Sequence, residues 1–292
     1  MSKKIALFSK DLTEKTMAGL LRLIDALDGR GAGIWLNIMG NGKAKFAADA
    51  RVTLIDDVSQ VPADVALIIS VGGDGTFLET ALKVRDTDIP VAGINTGRLG
   101  FLANIPDDDI PGAVGMLCSG HYEIIHRSLL EVVEPENLFG DLTSLALNEV
   151  TVQKADQRII AITVHVNGIF LNTYRADGLI ISSSTGSTAY NLSVGGPILS
   201  PSDESIIIVP MSPHNLTVRP IIVTGGSLIT METEGRSSEF LITCDSKAIK
   251  THMGARLSIR QPSRKLQTVT LSGNDFFSTL RGKLMWGADP RN

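Results

Sequence analysis

The stretch VALIISVGGDGT, at Val65–Thr76, decides the fold class of this chain. Its first seven residues are almost entirely apolar and have the length of one strand, which is typical of a strand buried on both faces of a sheet. A glycine-rich turn follows at once, and Thr76–Val84 then shows the apolar spacing of a helix. The stretch therefore predicts a buried strand, a tight turn and a helix, the unit from which parallel α/β sheets are built.

The same alternation extends over the first 122 residues. Right-handed strand–helix–strand connections of this kind form a parallel sheet, so we predict an α/β domain with a Rossmann-like sheet over residues 1–122. The other predicted strands of this domain are Lys4–Phe8, Gly33–Ile38 and Pro90–Ile94, and the other predicted helices are Thr13–Leu27 and Asp107–Leu117.

From about Tyr122 onward the pattern changes to short strands punctuated by Gly and Pro, which predicts a mainly β domain over residues 123–271. Asn167-Gly168 lies between two apolar segments and favours a hairpin with a type I′ turn. A short helical insertion is predicted after Ser184. Further strands are predicted at Ile206–Val209, Ile221–Val223, Leu228–Thr233, Phe240–Cys244, Leu257–Arg260 and Gln267–Leu271.

The tail, residues 272–292, is predicted to return to helix. Asn274 is its expected N-cap, with the helix running to Leu284. We expect this segment to pack back on the N-terminal domain, and we expect a cleft between the two domains, where ligands commonly bind.

Composition excludes several functional classes. The 292 residues carry a formal net charge of −4, and only 5% are aromatic, which argues against non-specific binding of nucleic acid or of an anionic membrane surface. Cys118 and Cys244 are far apart, which excludes a disulfide framework and a Cys-based zinc site. The sequence contains no signal-like segment and no run of 18 apolar residues, so we expect a cytoplasmic protein.

The first candidate site is Gly72–Thr76. Glycines let a backbone approach a phosphate closely, and the N-terminus of the following helix offers free N–H groups. Asp74 would repel a phosphate, so we expect it to accept a proton from a hydroxyl nucleophile or to help hold Mg²⁺. The alternative is an acidic turn residue that caps the helix. The spacing fits neither a Walker A loop nor GxGxxG.

Two further candidates follow predicted strands or lie within one. Asn95–Leu102 leaves the carboxyl end of a strand, where it can share a ligand with the first turn; ordinary turn chemistry is the alternative. Asn148-Glu149 lies in an otherwise apolar segment, Leu145–Val152, predicted as one strand. Asn can pair with an adenine edge and Glu with ribose hydroxyls, although a strand end at a sheet edge would also explain them.

The fourth candidate is the segment from Arg175 to Ser193, followed by Gly195–Pro197. Six of the seven residues in Ser182–Thr188 are Ser or Thr, which predicts hydrogen bonds to sugar hydroxyls, amides and phosphates; a solvated turn is the alternative. A fifth cluster pairs His214 with Arg219, which either face a nucleotide phosphate or belong to a loop that ties two strands together. The other histidines show no metal-ligand spacing, so no protein metal site is predicted.

Taken in order, these motifs resemble those of one family, the NAD kinases, over nearly the whole chain. The glycine-rich turn alone is also similar to turns of lipid kinases and 6-phosphofructokinases, and the later motifs make the resemblance specific. The motifs are GGDGT at Gly72–Thr76, NTGRLGFL at Asn95–Leu102, NE at Asn148-Glu149, DG and STGSTAY within Asp177–Tyr190, GGP at Gly195–Pro197, and PHxLxxRP at Pro213–Pro220.

The resemblance implies ATP-dependent phosphorylation of the 2′-hydroxyl of the adenosine ribose of NAD, giving NADP, with Mg²⁺ bound through the ATP phosphates. It also implies a homodimer or homotetramer whose subunits share parts of the NAD site. Asp74 is the expected catalytic carboxylate, as a general base or as the group that orients the hydroxyl. The residues expected to bind NAD are Asp74, Gly75, Phe101, Asn148, Glu149, Arg175, Asp177, Thr185, Thr188, Ala189, Tyr190 and Ser193. Those expected near the phosphates and ATP are Gly72, Gly73, Gly75, Thr76, Asn95, Gly97, Arg98 and His214.

Two other functions share parts of this pattern. A lipid kinase would use the same GGDGT turn, but the low positive charge and the STGSTAY segment argue against it. A non-catalytic sensor that binds NAD or NADP would need no intact Asp74, and nothing in the sequence shows damage there. The range of phosphate donors and the acceptance of NADH are not determined by the sequence.

Overall fold

The computed structural model describes residues 3–140 and 144–286, and within these ranges the chain forms twenty strands and five α-helices. The strands are β1 (Lys4–Ser9), β2 (Gly33–Ile38), β3 (Val52–Ile55), β4 (Leu67–Gly72), β5 (Val91–Asn95), β6 (Ile105–Pro106), β7 (Tyr122–Arg127), β8 (Leu130–Glu134), β9 (Leu145–Ala146), β10 (Glu149–Lys154), β11 (Ile160–Val166), β12 (Ile169–Ala176), β13 (Gly178–Ser182), β14 (Ile206–Met211), β15 (Ile221–Val223), β16 (Ile229–Gly235), β17 (Glu239–Cys244), β18 (Lys247–His252), β19 (Arg256–Arg260) and β20 (Leu266–Leu271). The helices are α1 (Glu14–Asp28), α2 (Asp74–Val84), α3 (Ile110–Ser119), α4 (Tyr190–Ser193) and α5 (Phe276–Leu284), with short 3-10 helices at Lys43–Phe46, Val58–Gln60 and Thr185–Thr188.

These elements divide into two compact units. The first contains the described residues up to Ile125 and those from Leu266 onward, and the second contains the described residues from His126 to Lys265. The first unit is built on an eight-stranded sheet in the order β3-β2-β1-β4-β5-β20-β7, with β6 beside β5. The pairs from β3 to β5 are all parallel, which confirms the predicted Rossmann-like sheet.

The core of the first unit follows from the apolar spacing of α1 and the central strands. Leu20, Leu23, Ile24 and Leu27 recur at three- and four-residue intervals and are fully buried. They share one cluster with side chains of the strands, and burying each leucine contributes roughly 1.5–3 kcal/mol. The helix begins at Glu14, one residue after the predicted start, because Thr13 is its N-cap and accepts a hydrogen bond from the Thr16 amide at 3.2 Å.

Several elements differ from the sequence predictions, and three of them bear on the site. Helix α2 begins at Asp74 rather than at Thr76. Helix α5 is capped by Asp275 and not by Asn274, because the Asp275 carboxylate accepts the Ser278 amide at 2.8 Å. The predicted strand Gln267–Leu271 forms part of β20, which pairs with β5 in the first sheet instead of joining the β-rich unit.

The second unit contains two antiparallel six-stranded sheets. Their strand orders are β15-β14-β13-β10-β17-β18 and β12-β11-β16-β19-β8-β9. Alternate residues of both sheets enter one buried cluster, as in Val150 with Val152 and Ile160 with Ile162. The predicted mainly β architecture is confirmed, and so is its hairpin: Asn167 and Gly168 have φ of +53° and +80°, as a type I′ turn requires.

The prediction of one continuous strand over Leu145–Val152 is wrong. Strand β9 ends at Ala146 and β10 begins at Glu149, so Leu147 and Asn148 lie between two strands that belong to different sheets. The reason is a long-range contact with Asp245, which accepts hydrogen bonds from the backbone amides at this point. Among residues 3–140 and 144–286, no helix combines the length and the apolar character needed to cross a membrane.

Candidate active site

Asp74 lies where β4 ends and α2 begins, at the carboxyl edge of the parallel sheet. Its carboxylate accepts hydrogen bonds from three successive backbone amides of the loop after β5. The Phe101 amide donates to Oδ2 at 3.0 Å, and the Leu102 and Ala103 amides donate to Oδ1 at 3.1 and 2.9 Å. We call this arrangement the Asp74 clamp; it fixes the carboxylate relative to both glycine-rich loops.

Two glycines in these turns have no room for a side chain, and one of them packs on the Asp74 carboxylate. A Cβ on Gly100 would lie 1.8 Å from Asp74 Oδ1, so no larger residue fits there without moving the carboxylate. Gly72 has φ of +153°, and a Cβ there would meet the Thr76 hydroxyl at 2.5 Å. Gly100 was quoted in the second glycine-rich motif but was not predicted as a site residue, because nothing in its local sequence shows that Asp74 packs on it.

Helix α5 also reaches the Asp74 clamp. The Lys283 ammonium lies 3.5 Å from Asp74 Oδ2 and 4.6 Å from the centre of the Phe101 ring. The Phe276 ring lies 6.4 Å from that of Phe101. The C-terminal helix therefore packs against the α/β unit, as predicted, and it brings a cation to the carboxylate that the sequence singled out.

The other predicted phosphate-side residues of this unit line two neighbouring turns. Asn95 is buried and closes its turn by accepting the Gly97 amide at 2.7 Å, while its Nδ2 has no hydrogen-bond partner. Gly97 and Arg98 are exposed. A Cβ on Gly73 or Gly75 would meet no protein atom within 4 Å, so neither glycine is required by packing within the chain.

In the second unit, Asp245 forms an equivalent arrangement, which we call the Asp245 clamp. The Leu147 amide donates to Oδ2 at 2.8 Å, and the Asn148 and Glu149 amides donate to Oδ1 at 2.9 and 3.1 Å. These bonds turn the chain between β9 and β10, which explains why the predicted strand is interrupted. Asp245 could not be predicted from the sequence, since its partners lie 96–98 positions away.

Glu149 is nine-tenths buried beside the Asp245 clamp. Burial, together with the nearby negative charge of Asp245, raises the pKa of Glu149 to about 8, while the Tyr190 backbone amide opposes this shift by bonding to the carboxylate. Burial also raises the pKa of Asp245. Because Asp245 accepts three amides, Glu149 is the member of the pair that holds the proton at pH 7. Its Oε2 has no hydrogen-bond partner in the chain.

The hydroxyl-rich loop uses most of its buried hydroxyls internally. Ser183 donates to the Leu147 carbonyl at 2.5 Å, and Ser187 bonds both the carbonyl and the amide of Leu199. Thr185, predicted to bind NAD, accepts a hydrogen bond from the buried Arg127 at 3.3 Å. The alternative of a solvated turn is therefore wrong for Ser182–Ser187. In this loop and the short helix after it, the predicted NAD-binding residues that remain at least partly exposed are Thr188, Ala189, Tyr190 and Ser193.

Arg175 and His214 line one cavity of about 590 Å³ in the second unit. The His214 amide donates to the Arg175 carbonyl at 2.9 Å, which ties the loop after β14 to strand β12. Arg158 and Arg236 line the same cavity and make it basic, with Glu234 as its one acidic member among the lining residues. These four residues lie far apart in the sequence, so their position around one cavity could not be predicted from it. Asp177, another predicted residue, forms an ion pair with Lys154 at 2.5 Å.

The predicted residues thus form groups within each unit. In the first unit the structure brings together Asp74, Phe101 and the two glycine-rich turns; in the second it brings together Asn148, Glu149 and Tyr190, and separately Arg175 and His214. The described residues contain no group of three or more His, Cys, Asp or Glu side chains arranged to hold a metal ion.

Comparison with known proteins defines the class first. Residues 41–122 match the family model of the ATP-NAD kinase N-terminal domain, and residues 147–271 match that of the ATP-NAD kinase C-terminal domain. The chain is 47% identical over 227 residues to an NAD kinase of Cytophaga hutchinsonii, covering 77% of each protein, and 38% identical over 289 residues to one of Bacteroides fragilis, covering 99% of each. These matches make the protein a phosphotransferase. It belongs to the NAD kinase family, as its motifs indicated.

Two solved structures share the fold. A yeast NADH kinase complexed with NADH superposes with a TM-score of 0.85 at 21% identity, covering 99% of this chain and 89% of that one. An NAD kinase from Archaeoglobus fulgidus in complex with ATP superposes with a TM-score of 0.74 at 23% identity, covering 97% and 98%. Both confirm the α/β unit followed by a unit of antiparallel sheets.

Proposed function

We propose that this chain phosphorylates the 2′-hydroxyl of the adenosine ribose of NAD, with Mg·ATP as donor and Asp74 as the carboxylate that binds the acceptor hydroxyl. The observation that carries the proposal is the Asp74 clamp. Three amides hold a one-third-exposed carboxylate at the carboxyl edge of the parallel sheet, beside a glycine turn and a helix N-terminus. Ligands of open α/β sheets bind at this edge.

The hydrogen bonds of Asp74 suggest how it acts. Oδ1 already accepts two amides, whereas Oδ2 accepts only one amide and the longer contact from Lys283. Oδ2 is therefore the atom proposed to accept the 2′-hydroxyl. As the ribose oxygen forms its bond to the γ-phosphorus, the bond from that phosphorus to the bridging oxygen breaks, ADP leaves, and the hydroxyl proton passes to Oδ2. General-base help of this kind is worth about 10²–10⁴-fold.

The donor phosphates are proposed to approach the Gly72–Thr76 turn. Gly73 and Gly75 leave open space next to the backbone, which a phosphate can use. The metal is proposed to arrive as part of the donor substrate, because the carboxylate of Asp74 is already engaged by amides. Mg²⁺ commonly keeps its waters and binds through substrate phosphates.

NAD recognition is proposed for the second unit. Glu149 offers a buried, protonated carboxyl group with an unpartnered oxygen, suited to a ribose hydroxyl or an adenine nitrogen. The basic cavity with Arg175 and His214 suits an anionic group of the dinucleotide. Asn148, Asp177, Thr185, Thr188, Ala189, Tyr190 and Ser193 remain proposed NAD contacts. A homodimer or homotetramer and a cytoplasmic location also remain predictions.

The test is NADP formation from NAD and Mg·ATP, read by an NADP-specific dehydrogenase, with the wild type, Asp74→Asn and the surface control Asp64→Asn. We expect Asp74→Asn to lower kcat about 100-fold or more while KM for NAD changes little, because the carboxylate acts on the reacting hydroxyl. Asp64→Asn should match the wild type. Equal rates in all three proteins would keep the kinase and remove Asp74 from its mechanism. No NADP from the wild type would overturn the proposed function.

A further inference from the structure

Lys283 stands out because it is the cation that α5 delivers to the Asp74 clamp. Its ammonium contacts two parts of the clamp at once, Asp74 Oδ2 at 3.5 Å and the face of Phe101 at 4.6 Å from the ring centre. The side chains of Lys283 and Asp74 are each about one-third exposed, so the pair lies at the surface of the unit where a ligand can reach it.

The surrounding contacts hold Lys283 in this place. Phe276 packs on Phe101 from the start of α5, and Asp275 caps the helix through the Ser278 amide at 2.8 Å. Lys283 lies two turns further along the same helix, and Leu280 between them is buried. The helix is therefore anchored at its beginning, and its last turn presents the ammonium group to the carboxylate.

A cation at this point addresses an electrostatic conflict in the proposed reaction. A carboxylate next to a triphosphate is repulsive, and this repulsion grows where protein replaces part of the surrounding water. An ammonium group has three N–H donors. One points to Asp74 and one side of the group rests on Phe101, so its positive charge is held against the carboxylate that the incoming phosphoryl group must approach.

We propose that Lys283 is a positioning residue for phosphoryl transfer: it offsets the charge of Asp74 and lets the transferring phosphoryl group approach the carboxylate-bound hydroxyl. This inference rests on the proposed function of Asp74. It assigns a role to the C-terminal helix, which lies outside the residues matched by the two family models.

The first experiment compares kcat and KM for Lys283→Met, Lys283→Arg and the matched control Arg281→Met, which removes a cation from the same helix. Met keeps the length and apolar character of the lysine stem but removes the charge. We expect Lys283→Met to lower kcat about 10- to 100-fold with KM for NAD nearly unchanged, as loss of a fixed electrostatic partner does. Lys283→Arg should recover most of the rate, and Arg281→Met should behave as the wild type.

The second experiment places Lys283→Met in the Asp74→Asn background. If Lys283 acts through Asp74, its removal has little further effect once the carboxylate charge is gone, so the two losses are not additive. Additive losses would overturn the proposal. So would equal losses in Lys283→Met and Arg281→Met, an unchanged kcat, or a faster Lys283→Met enzyme, which would make Lys283 an inhibitory latch.

Thermal unfolding of each variant separates a folding defect from a catalytic one. A drop in kcat that follows a drop in Tm, and that Lys283→Arg does not rescue, would also contradict the proposal. Failure of the proposed function is recognised independently, since it is an absence of NADP formation by the wild type.

Discussion

Asp74 and Asp245 use the same geometry for different ends. In both clamps the first of three successive amides donates to Oδ2 and the next two donate to Oδ1. The Asp74 clamp is one-third exposed and faces a lysine, whereas the Asp245 clamp is flanked by the buried Glu149 and the buried Cys244. The amides fix the carboxylate in place, and the neighbouring charge and solvent decide what the carboxylate does.

The difference in exposure indicates a catalytic role for the Asp74 clamp and a structural role for the Asp245 clamp. Asp74 has an oxygen that a ligand can reach, so we propose that it binds a substrate hydroxyl. Asp245 holds the turn from Leu147 to Glu149 and raises the pKa of Glu149, so it acts on neighbouring residues of the chain. Three predictions test this division.

The largest effect on kcat is expected from replacing each aspartate by Asn. Asp245→Asn should lower the free energy of unfolding by about 2 kcal/mol, because the Asn amide group leaves one buried backbone N–H without an acceptor. Asp74→Asn should lower the free energy of unfolding by only about 1 kcal/mol, since water can bond the N–H that loses its acceptor. The same substitution should lower kcat about 100-fold or more. Urea unfolding and NADP formation on both variants measure the two quantities. Equal losses of stability would show that the clamps are equivalent.

A smaller effect is expected from Gly100→Ala, with Gly75→Ala as its control. The new Cβ at residue 100 would overlap Asp74 Oδ1, so we expect a loss of about 1–3 kcal/mol in stability and a kcat lower by about tenfold. Ala at residue 75 lies in α2 and meets no atom within 4 Å, so folding should be unaffected or improved by up to about 1 kcal/mol.

The same pair of glycines distinguishes packing from binding. If Gly75 lies near the donor phosphates, Gly75→Ala should raise KM for ATP without a fall in Tm. A stable Gly100→Ala enzyme with wild-type kcat would show that the position of the Asp74 carboxylate is not critical.

A change of stability with pH is expected from Glu149. Its pKa in the folded chain, about 8, lies above the ordinary value of 4.5, so between these values the folded protein binds the proton more tightly than the unfolded chain does. Stability from this group is complete below about pH 4.5 and falls as pH rises toward 8, by at most about 1.4 kcal/mol per pH unit. Urea unfolding between pH 5 and pH 8 should show a smaller decline for Glu149→Gln than for the wild type.

The exposed Glu136 provides the control for this measurement. Glu136→Gln should leave the pH dependence as it is in the wild type. If Glu149→Gln and the wild type lose stability in parallel, Glu149 is not the group that holds the proton beside Asp245.

Local elements of the fold were predictable where the residues that produce the element lie next to one another in the sequence. The apolar run before the GGDGT turn predicted β4, the Asn-Gly pair predicted the hairpin of β11 and β12, and Thr13 predicted the start of α1. The predicted N-cap of α5 was wrong because two adjacent residues, Asn274 and Asp275, can both cap a helix. Errors also occurred where a strand joined a distant sheet, as β20 does.

The candidate site was predictable as a set of residue types but not as a set of contacts. The sequence by itself determined the strand–helix alternation, the family motifs and the choice of Asp74, because periodicity and glycine spacing act over a few neighbouring positions. Only the tertiary structure decided that Gly100 must be small, that Asp245 interrupts a strand and that Lys283 reaches Asp74. These contacts join residues 26 to 209 positions apart, and hydrogen bonds and ion pairs over such separations leave no local pattern in a single sequence.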